Sequence, residues 1–165
     1  MMLAVGSCIV ADPPEYRAPV QTRPVLNVYS AVPTATRALA VVAGTKQQLS
    51  VQVRSEDAGE DLRALFFLDY QLPGETKLVS KPIPASTYDN PGRNIQLDWF
   101  PSKDKPNCHF LSLVVAHRSS FLATDDDKLN PKFADDDAAI LTWTVNVSLD
   151  STDRTSDLIN CPTGA

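Results

Sequence analysis

The sequence predicts an all-β protein, a two-sheet antiparallel sandwich of seven or eight strands. Apolar and polar residues alternate with a period of two in several short segments, which is the pattern of strands that bury one face. Turn residues such as Gly44, Pro73 and Gly74 separate these segments, and no segment has the periodicity of a convincing amphipathic helix. A chain of 165 residues, with 43% hydrophobic and 21% charged residues, is long enough for one globular domain.

The first half of the domain contains four predicted strands, at residues 25–29, 38–42, 48–54 and 62–70. The third of them alternates strictly, so that Leu49, Val51 and Val53 share one face. The fourth is a continuous apolar run, which is typical of a central strand that is buried on both faces.

The second half contains one irregular segment and three further strands. Residues 77–91 are rich in proline and are predicted to form a loop or an edge strand, because proline cannot donate a hydrogen bond to a neighbouring strand. Polar residues separate Ile95, Leu97 and Trp99, and residues 108–117 form the next strand. The clearest alternation places one apolar set on one face of the last strand: Ala139, Leu141, Trp143, Val145, Val147 and Leu149. A helix would place successive members of this set about 200° apart, so the pattern favours a strand.

Residues 25–150 resemble immunoglobulin-like and fibronectin type III-like domains. The resemblance is carried by the alternating 48–54 strand, the apolar 62–70 strand, the Ile95, Leu97 and Trp99 strand, and the final pair of strands around Leu113 and Trp143. The cysteine–tryptophan–cysteine spacing of antibody domains is absent, since no cysteine lies in residues 48–54. The resemblance implies a β-sandwich but no particular activity, because one fold hosts many functions.

The N-terminus contains a short motif for lipid attachment. Val5, Gly6, Ser7 and Cys8 resemble the lipobox of exported bacterial lipoproteins, in which the cysteine receives a diacylglycerol group and becomes the new N-terminus. The resemblance implies that residues 1–7 are the remnant of a signal peptide. A complete signal peptide has a basic region and about 7–15 apolar residues, so the missing part is expected upstream of Met1. The alternative is an ordinary N-terminal tail with a stray cysteine.

Residues 8–24 are predicted to be the lipidated cysteine with a tether, and residues 25–161 to be the sandwich domain. Prolines at positions 13, 14, 19 and 24 fix φ and remove donors, so an extended spacer is expected. Ile9 follows Cys8, whereas the lipoproteins that this motif resembles carry an aspartate there when they are retained at the inner membrane. The expected location is the cell envelope, with the outer membrane favoured over the inner, and otherwise a secreted or periplasmic protein.

Two of the three cysteines are predicted to form a disulfide. Cys108 begins a strand, and the tail after the last strand could fold back so that Cys161 meets it. A bond between Cys108 and Cys161 leaves Cys8 over, which is the cysteine that lipidation would use. The alternative is that Cys108 and Cys161 are two separate buried thiols.

Composition and motifs argue against a nucleic-acid partner and offer no common catalytic motif. The net charge is −5 and the basic residues are scattered, whereas phosphate recognition needs clustered lysine and arginine. No Gly-x-Ser-x-Gly turn, phosphate-binding loop, Cys-x-x-Cys or His-Glu-x-x-His motif occurs, although composition alone leaves a serine–histidine–acid triad open. His109 and His117 lie on one predicted strand about 26 Å apart, so they cannot share a metal ion. No catalytic residue and no enzyme activity are predicted.

A loop of about 20 residues between the last two strands is the candidate binding element. Phe121 and Phe133 could either anchor this loop or contact a partner. Its two acidic clusters offer the oxygen ligands that Ca²⁺ takes, and calcium is the one cofactor that the sequence suggests. These acidic residues are Asp125, Asp126, Asp127, Asp135, Asp136 and Asp137. The alternative is a solvated acidic loop in which Lys128 and Lys132 balance part of the charge.

These features predict a non-catalytic envelope lipoprotein that acts as a binding or structural module, alone or within a larger envelope assembly. Its expected contacts are a protein partner and, through the lipid, a membrane. The alternative is a secreted carbohydrate-binding or hydrolytic domain that uses the acidic loop at residues 125–137. A concave pocket with converging acids favours the enzyme, whereas a flat or edge-strand surface favours the binding module.

Overall fold

Eight strands and one short 3₁₀ turn are present in the computed structural model, which describes residues 21–57, 59–87, 89–90, 92–104, 107–121 and 137–149. The strands are β1 (Val25–Val32), β2 (Leu39–Val42), β3 (Gln47–Arg54), β4 (Leu62–Leu68), β5 (Thr76–Ile83), β6 (Gly92–Trp99), β7 (Asn107–His117) and β8 (Ala139–Ser148). The 3₁₀ turn at Arg118–Ser120 follows β7 directly. Within these residues, no helix is long and apolar enough to cross a membrane.

The strands form two sheets that pack face to face. One sheet has the order β1-β3-β6 and the other β2-β8-β7-β4-β5. Neighbours are antiparallel, except that β2 runs parallel to β8. The β8-β7-β4 order is the G-F-C order of immunoglobulin domains, and β1, β3 and β6 occupy the positions of strands A, B and E. The predicted two-sheet, immunoglobulin-like sandwich is therefore confirmed.

The core between the sheets consists of the alternating apolar residues that the period-two pattern predicts. The inward side chains of β3, β6 and β8 belong to this core: Leu49, Val51, Val53, Ile95, Leu97, Trp99, Leu141, Trp143, Val145 and Val147. Full burial of one such side chain contributes about 1.5–3 kcal/mol relative to leaving it exposed. Leu149 was expected on the same face, but it is 63% exposed because β8 ends at Ser148 and the alternation no longer points into the sandwich.

A second apolar cluster lies on the opposite face of the five-stranded sheet. Its members are Leu65 and Phe67 of β4, Val114 and Ala116 of β7, and Phe121 and Ala138. The alternate residues of β4, such as Phe66, belong to the core between the sheets. The prediction of a central strand buried on both faces is therefore confirmed for β4.

The proline-rich segment contains the edge strand β5, which pairs only with β4 among the described strands. Pro82 lies opposite Arg63. Because proline has no N–H to donate, an edge is one of the few places in a sheet where it is tolerated. The edge-strand alternative of the prediction is the one that the chain adopts.

Candidate functional site

His117 at the end of β7 is fully buried and contacts Asp137, which precedes β8. The imidazole donates from Nδ1 to Asp137 Oδ1 over 2.6 Å, and the backbone N–H of His117 donates to Asp137 Oδ2 over 3.2 Å. Val115 is the register partner of Ala139, so two residues further along this antiparallel pair His117 lies opposite Asp137. The hydroxyl of Ser120 also donates to Asp137 Oδ2. One carboxylate therefore accepts three hydrogen bonds at the end of the sheet.

The other ring nitrogen of His117 faces the loop between β3 and β4. Its Nε2 lies 3.5 Å from Ser55 Oγ and 3.4 Å from Asp57 Oδ2. Asp57 in turn accepts hydrogen bonds from the backbone N–H and the hydroxyl of Thr22, over 2.8 and 3.0 Å. The cluster thus joins the segment before β1, the β3–β4 loop, the end of β7 and the start of β8. Residues 21–24, which belong to the predicted tether, begin to contact the sandwich here.

The two ring nitrogens of His117 face a serine and an aspartate, as in a serine–histidine–acid triad. The surroundings of Ser55, His117 and Asp137 nevertheless fit a structural role. The imidazole is 0% exposed and Ser55 is 4% exposed, so neither can reach a substrate without local opening. Ser55 Oγ accepts the backbone N–H of Asp57 over 3.2 Å, and the Asp57 carboxylate lies 3.4 Å from Nε2. A nucleophilic serine gives its hydroxyl proton to a base within about 2.6–3.2 Å, whereas Ser55 Oγ lies 3.5 Å from Nε2. We therefore describe this group as the His117 cluster, a polar connection between four segments.

His109 lies at the opposite end of β7 and has an aspartate of its own. Its Nδ1 donates to Asp69 Oδ2 over 2.7 Å, and the backbone N–H of Phe110 donates to Asp69 Oδ1 over 3.0 Å. Asp69 follows β4 with a φ of 55°, and its N–H donates to the carbonyl of Phe110 over 2.7 Å. The two histidines are thus separate, as their spacing predicts. In the described part of the chain, no group of three or more potential ligands could hold a metal ion.

An open groove of about 520 Å³ runs between β5 and β6, where the edges of the two sheets face each other. Its lining residues are Val79, Lys81, Gln96, Leu97 and Asp98. Lys81 Nζ crosses the groove and donates to the carbonyl of Gln96 over 3.1 Å. Lys46 Nζ lies 2.8 Å from Asp98 Oδ2, and its hydrogen bond lowers the pKa of that exposed carboxyl group. The groove therefore has an apolar floor and a charged rim.

The backbone of β6 has a free edge on the side of this groove. The N–H of Gln52 in β3 donates to Ser30 on the β1 side, so Gln52 turns its backbone away from its β6 partner Asn94. Gln52 and Asn94 therefore form a non-hydrogen-bonded pair, in which Asn94 directs its N–H and carbonyl away from β3. Because bonded and non-bonded pairs alternate in an antiparallel ladder, Gln96, two residues further along β6, directs its N–H and carbonyl the same way. The contact from Lys81 to the Gln96 carbonyl agrees with this direction. β6 keeps unbroken register with β3 over its whole length and has no second strand neighbour among the described strands.

β1 is a further edge strand, and it presents apolar side chains to solvent. We call Val25, Val28, Tyr29 and Val32 the β1 surface; Tyr29 is 99% exposed and Val32 62%. Between the register pairs Asn27–Gln52 and Val32–Ser50, β1 advances by five residues while β3 advances by two. This bulge lifts the residues between them out of the regular ladder. An exposed apolar patch of this kind is a candidate interaction surface.

Three of the residues that were predicted to form sites lie in the described part of the chain. Phe121 is buried in the second apolar cluster, so its ring anchors the chain after β7. Asp137 is buried and directs its carboxylate at His117 and Ser120. Cys108 takes part in a disulfide, but both cysteines that could complete it, Cys8 and Cys161, lie outside the described residues, so the pairing stays a prediction. The other predicted site residues also lie outside the described part: Asp125, Asp126, Asp127, Asp135, Asp136 and Phe133.

Several residues of these sites were not predicted from the sequence. Ser55 and Asp57 belong to no motif in the sequence, and for His117 the sequence predicts only that it cannot share a metal ion with His109. The signal that could have identified the His117–Asp137 contact is the alternation of β7 and β8: once Val115 is placed opposite Ala139, the contact follows. No comparable signal marks the bulge of β1, because it depends on a hydroxyl of Ser30 that meets another strand.

No family model matches the chain, and no curated protein matches it. Among solved structures, it is similar to the CARDB domain of a Pyrococcus furiosus protein in complex with di-metal ions, with 8% sequence identity and a TM-score of 0.46; the match covers 78% of this chain and 93% of that chain. It is also similar to a Niemann-Pick type C2 protein from the Japanese carpenter ant, with 9% identity and a TM-score of 0.42, over 78% of this chain and 91% of that chain. At these TM-scores the similarities carry no argument about a site or a ligand, and the immunoglobulin-like fold stands on the strand order of the chain itself.

Proposed function

We propose that the chain is a non-catalytic protein of the cell envelope, which binds a protein partner through one edge of its sandwich and is held to a membrane by a lipid on Cys8. The free edge of β6 is the observation that carries the proposal. The His117 cluster supports the non-catalytic part, because its serine and imidazole are buried and engaged in internal contacts. The lipobox resemblance of residues 5–8 supports the membrane part.

The β6 edge is suited to a partner that adds an extended strand. In this mode of recognition, main-chain hydrogen bonds provide affinity and pockets for alternate side chains provide specificity. Gln96 offers an outward N–H and carbonyl, and Val79 and Leu97 in the adjoining groove offer apolar contacts. A partner strand would displace Lys81 from the Gln96 carbonyl, and this exposed, flexible side chain can move at little cost. A lysine that guards a free edge is a common protection against uncontrolled strand addition.

The other edge strands of the described chain are less suited to strand addition. β1 is interrupted by its bulge, and β2 has only four residues. β5 carries Pro82, which cannot donate a hydrogen bond to an added strand. β6 is regular over eight residues and contains no proline. The choice of β6 therefore follows from the geometry of all four edges.

Replacing Gln96 with proline is expected to abolish partner binding without unfolding the domain. Proline removes the outward N–H that a partner strand needs, while the pairing of β6 with β3 uses the neighbouring residues. The measurement is co-purification of the bound envelope protein with wild type, Gln96→Pro and Gln96→Ala from detergent-solubilised envelopes. Gln96→Ala is the matched control, because it removes the same side chain but keeps the N–H.

Lys81→Ala frees the Gln96 carbonyl and is expected to retain or strengthen the same interaction. Circular dichroism and the urea midpoint of each variant report whether the fold is intact. Equal recovery of the partner with Gln96→Pro and Gln96→Ala, both folded, would contradict the proposal that β6 is the docking edge.

Lipidation is tested separately in the native host, with the gene expressed from its own start. A radioactive fatty acid is expected to label the wild-type protein but not Cys8→Ser, because the thiol of Cys8 is the proposed attachment atom. Ser7→Ala is the control that keeps a small residue before the cysteine, and it should retain the label. An unlabelled wild-type protein would refute the membrane anchor and leave the edge of β6 unaffected.

A further inference from the structure

We infer that the β1 surface docks on an anionic membrane surface. This inference goes beyond the proposed function, because it concerns a different edge of the sandwich and a membrane contact that does not depend on the lipid at Cys8. It is drawn from the exposure of the β1 surface, the way in which its bulge is held, and the distribution of charge along the chain.

Tyr29 projects from a bulge that has a defined structure. Ser30 Oγ donates to the carbonyl of Asn27 over 2.7 Å and accepts the N–H of Gln52 over 2.8 Å. The N–H of Tyr29 donates to Asn27 Oδ1 over 3.2 Å. Two side chains of the protein thus satisfy the backbone groups that the bulge removes from the ladder. The 99% exposure of Tyr29 is therefore a property of the folded strand, and the ring is presented without further ordering of the chain.

The stretch of sequence that contains β1 carries charge of one sign. No aspartate or glutamate occurs from Tyr16 to Ser55, although the chain as a whole has a net charge of −5. Arg54 is the register partner of Val25, and Arg37 lies in the turn between β1 and β2. Both are exposed, and neither forms an ion pair with a carboxylate of the described residues. Exposed apolar side chains with such arginines beside them are complementary to an anionic surface.

A bilayer interface fits this combination better than an added strand. The bulge interrupts the regular N–H and carbonyl ladder that strand addition needs. Tyrosine has an apolar body and a polar tip, and for that reason it is enriched at the headgroup level of membranes. Valines beside it can enter the boundary of the acyl chains, while arginines contact lipid phosphates. The next acids in the chain, Glu56 and Asp57, follow β3, and the Asp57 carboxylate accepts two hydrogen bonds from Thr22.

The test uses the full chain with Cys8→Ser, so that no lipid can contribute. Flotation is measured with vesicles of phosphatidylglycerol and phosphatidylcholine in equal parts, and with vesicles of phosphatidylcholine alone, at low and high salt. The protein is expected to float with the anionic vesicles, to float much less with the neutral ones, and to lose binding as salt rises, because salt screens exposed charges.

Tyr29→Ser is expected to weaken partitioning into the anionic vesicles about tenfold, because it removes the side chain that enters the interface. Phe100→Ser is the matched control: Phe100 is also an exposed aromatic residue, but it follows β6, which β3 separates from β1 in the sheet, and its loss should leave flotation unchanged. Arg37→Gln is expected to weaken binding and to reduce its dependence on salt. Both Tyr29 and Phe100 are exposed, so the urea midpoints of these variants should stay at the wild-type value.

Three outcomes overturn the inference. The first is equal flotation with anionic and neutral vesicles, and the second is an equal effect of Tyr29→Ser and Phe100→Ser. The third is the absence of flotation with a fold that circular dichroism shows to be intact. If polyglutamate binds the chain while both kinds of vesicle fail, the β1 surface is directed at an acidic protein and the membrane inference is wrong. The result of the lipidation experiment on Cys8 does not affect the interpretation of any of these flotation outcomes.

Discussion

Replacing Asp137 with alanine is expected to lower the free energy of unfolding by about 3–5 kcal/mol, because three hydrogen-bond donors lose the one acceptor that they share. The carboxylate accepts the imidazole N–H and the backbone N–H of His117 and the hydroxyl of Ser120. Truncation leaves these donors without their acceptor, and a buried donor without a partner costs about 1–3 kcal/mol. The measurement is urea unfolding followed by far-ultraviolet circular dichroism.

Further variants and a control show which part of the interaction is lost. Asp137→Asn keeps an acceptor oxygen but removes the charge, so its stability should lie between those of wild type and Asp137→Ala. Asp89→Ala deletes the same carboxylate from an exposed position and should change the free energy of unfolding by no more than about 0.5 kcal/mol. A double-mutant cycle between His117→Ala and Asp137→Ala should give a coupling energy of roughly 0.5–3 kcal/mol. If Asp137→Ala behaves like Asp89→Ala, the His117 cluster does not stabilise the sandwich.

The fold could be predicted from the sequence wherever a strand buries every second side chain. In β3, β6 and β8 the same alternation decides both the strand and its inward face, so Val51, Ile95 and Val145 could be placed in the core without any tertiary information. β5 was ambiguous because Pro82 is compatible with a loop and with an edge. The sequence alone does not decide between the two; the pairing of this segment with the open side of β4 makes it an edge strand.

The candidate sites could be predicted only in part, because they depend on contacts between distant segments. The contact of His117 with Asp137 follows from the register of two consecutive strands, whereas its contact with Asp57 needs the position of the β3–β4 loop. Likewise, the exposure of Tyr29 depends on the bulge, and the bulge depends on the bond between Ser30 and Gln52. Period-two patterning contains no information on such contacts, since it reports burial along one strand at a time.

Trp143 connects the two sheets, and its replacement by alanine is expected to destabilise the fold by about 3–5 kcal/mol. The indole is fully buried in the core on β8 of the five-stranded sheet. Its Nε1 donates over 2.8 Å to the carbonyl of Pro33, the residue that follows β1 of the other sheet. Alanine would therefore leave a cavity between the sheets and an unpaired carbonyl at the end of β1.

Trp143→Phe separates the cavity from the hydrogen bond. Phenylalanine fills most of the space but cannot donate, so a smaller loss of about 1–2 kcal/mol is expected, mainly from the Pro33 carbonyl. Phe100→Ala is the control, because this aromatic side chain is 61% exposed and its truncation should leave the unfolding midpoint unchanged. Equal losses for Trp143→Phe and Trp143→Ala would mean that the hydrogen bond to Pro33, and not the filling of the core, is what Trp143 contributes. A loss for Trp143→Ala below about 1 kcal/mol would show that the sheets close over the vacated space, in contrast to the rigid packing expected of a fully buried core residue.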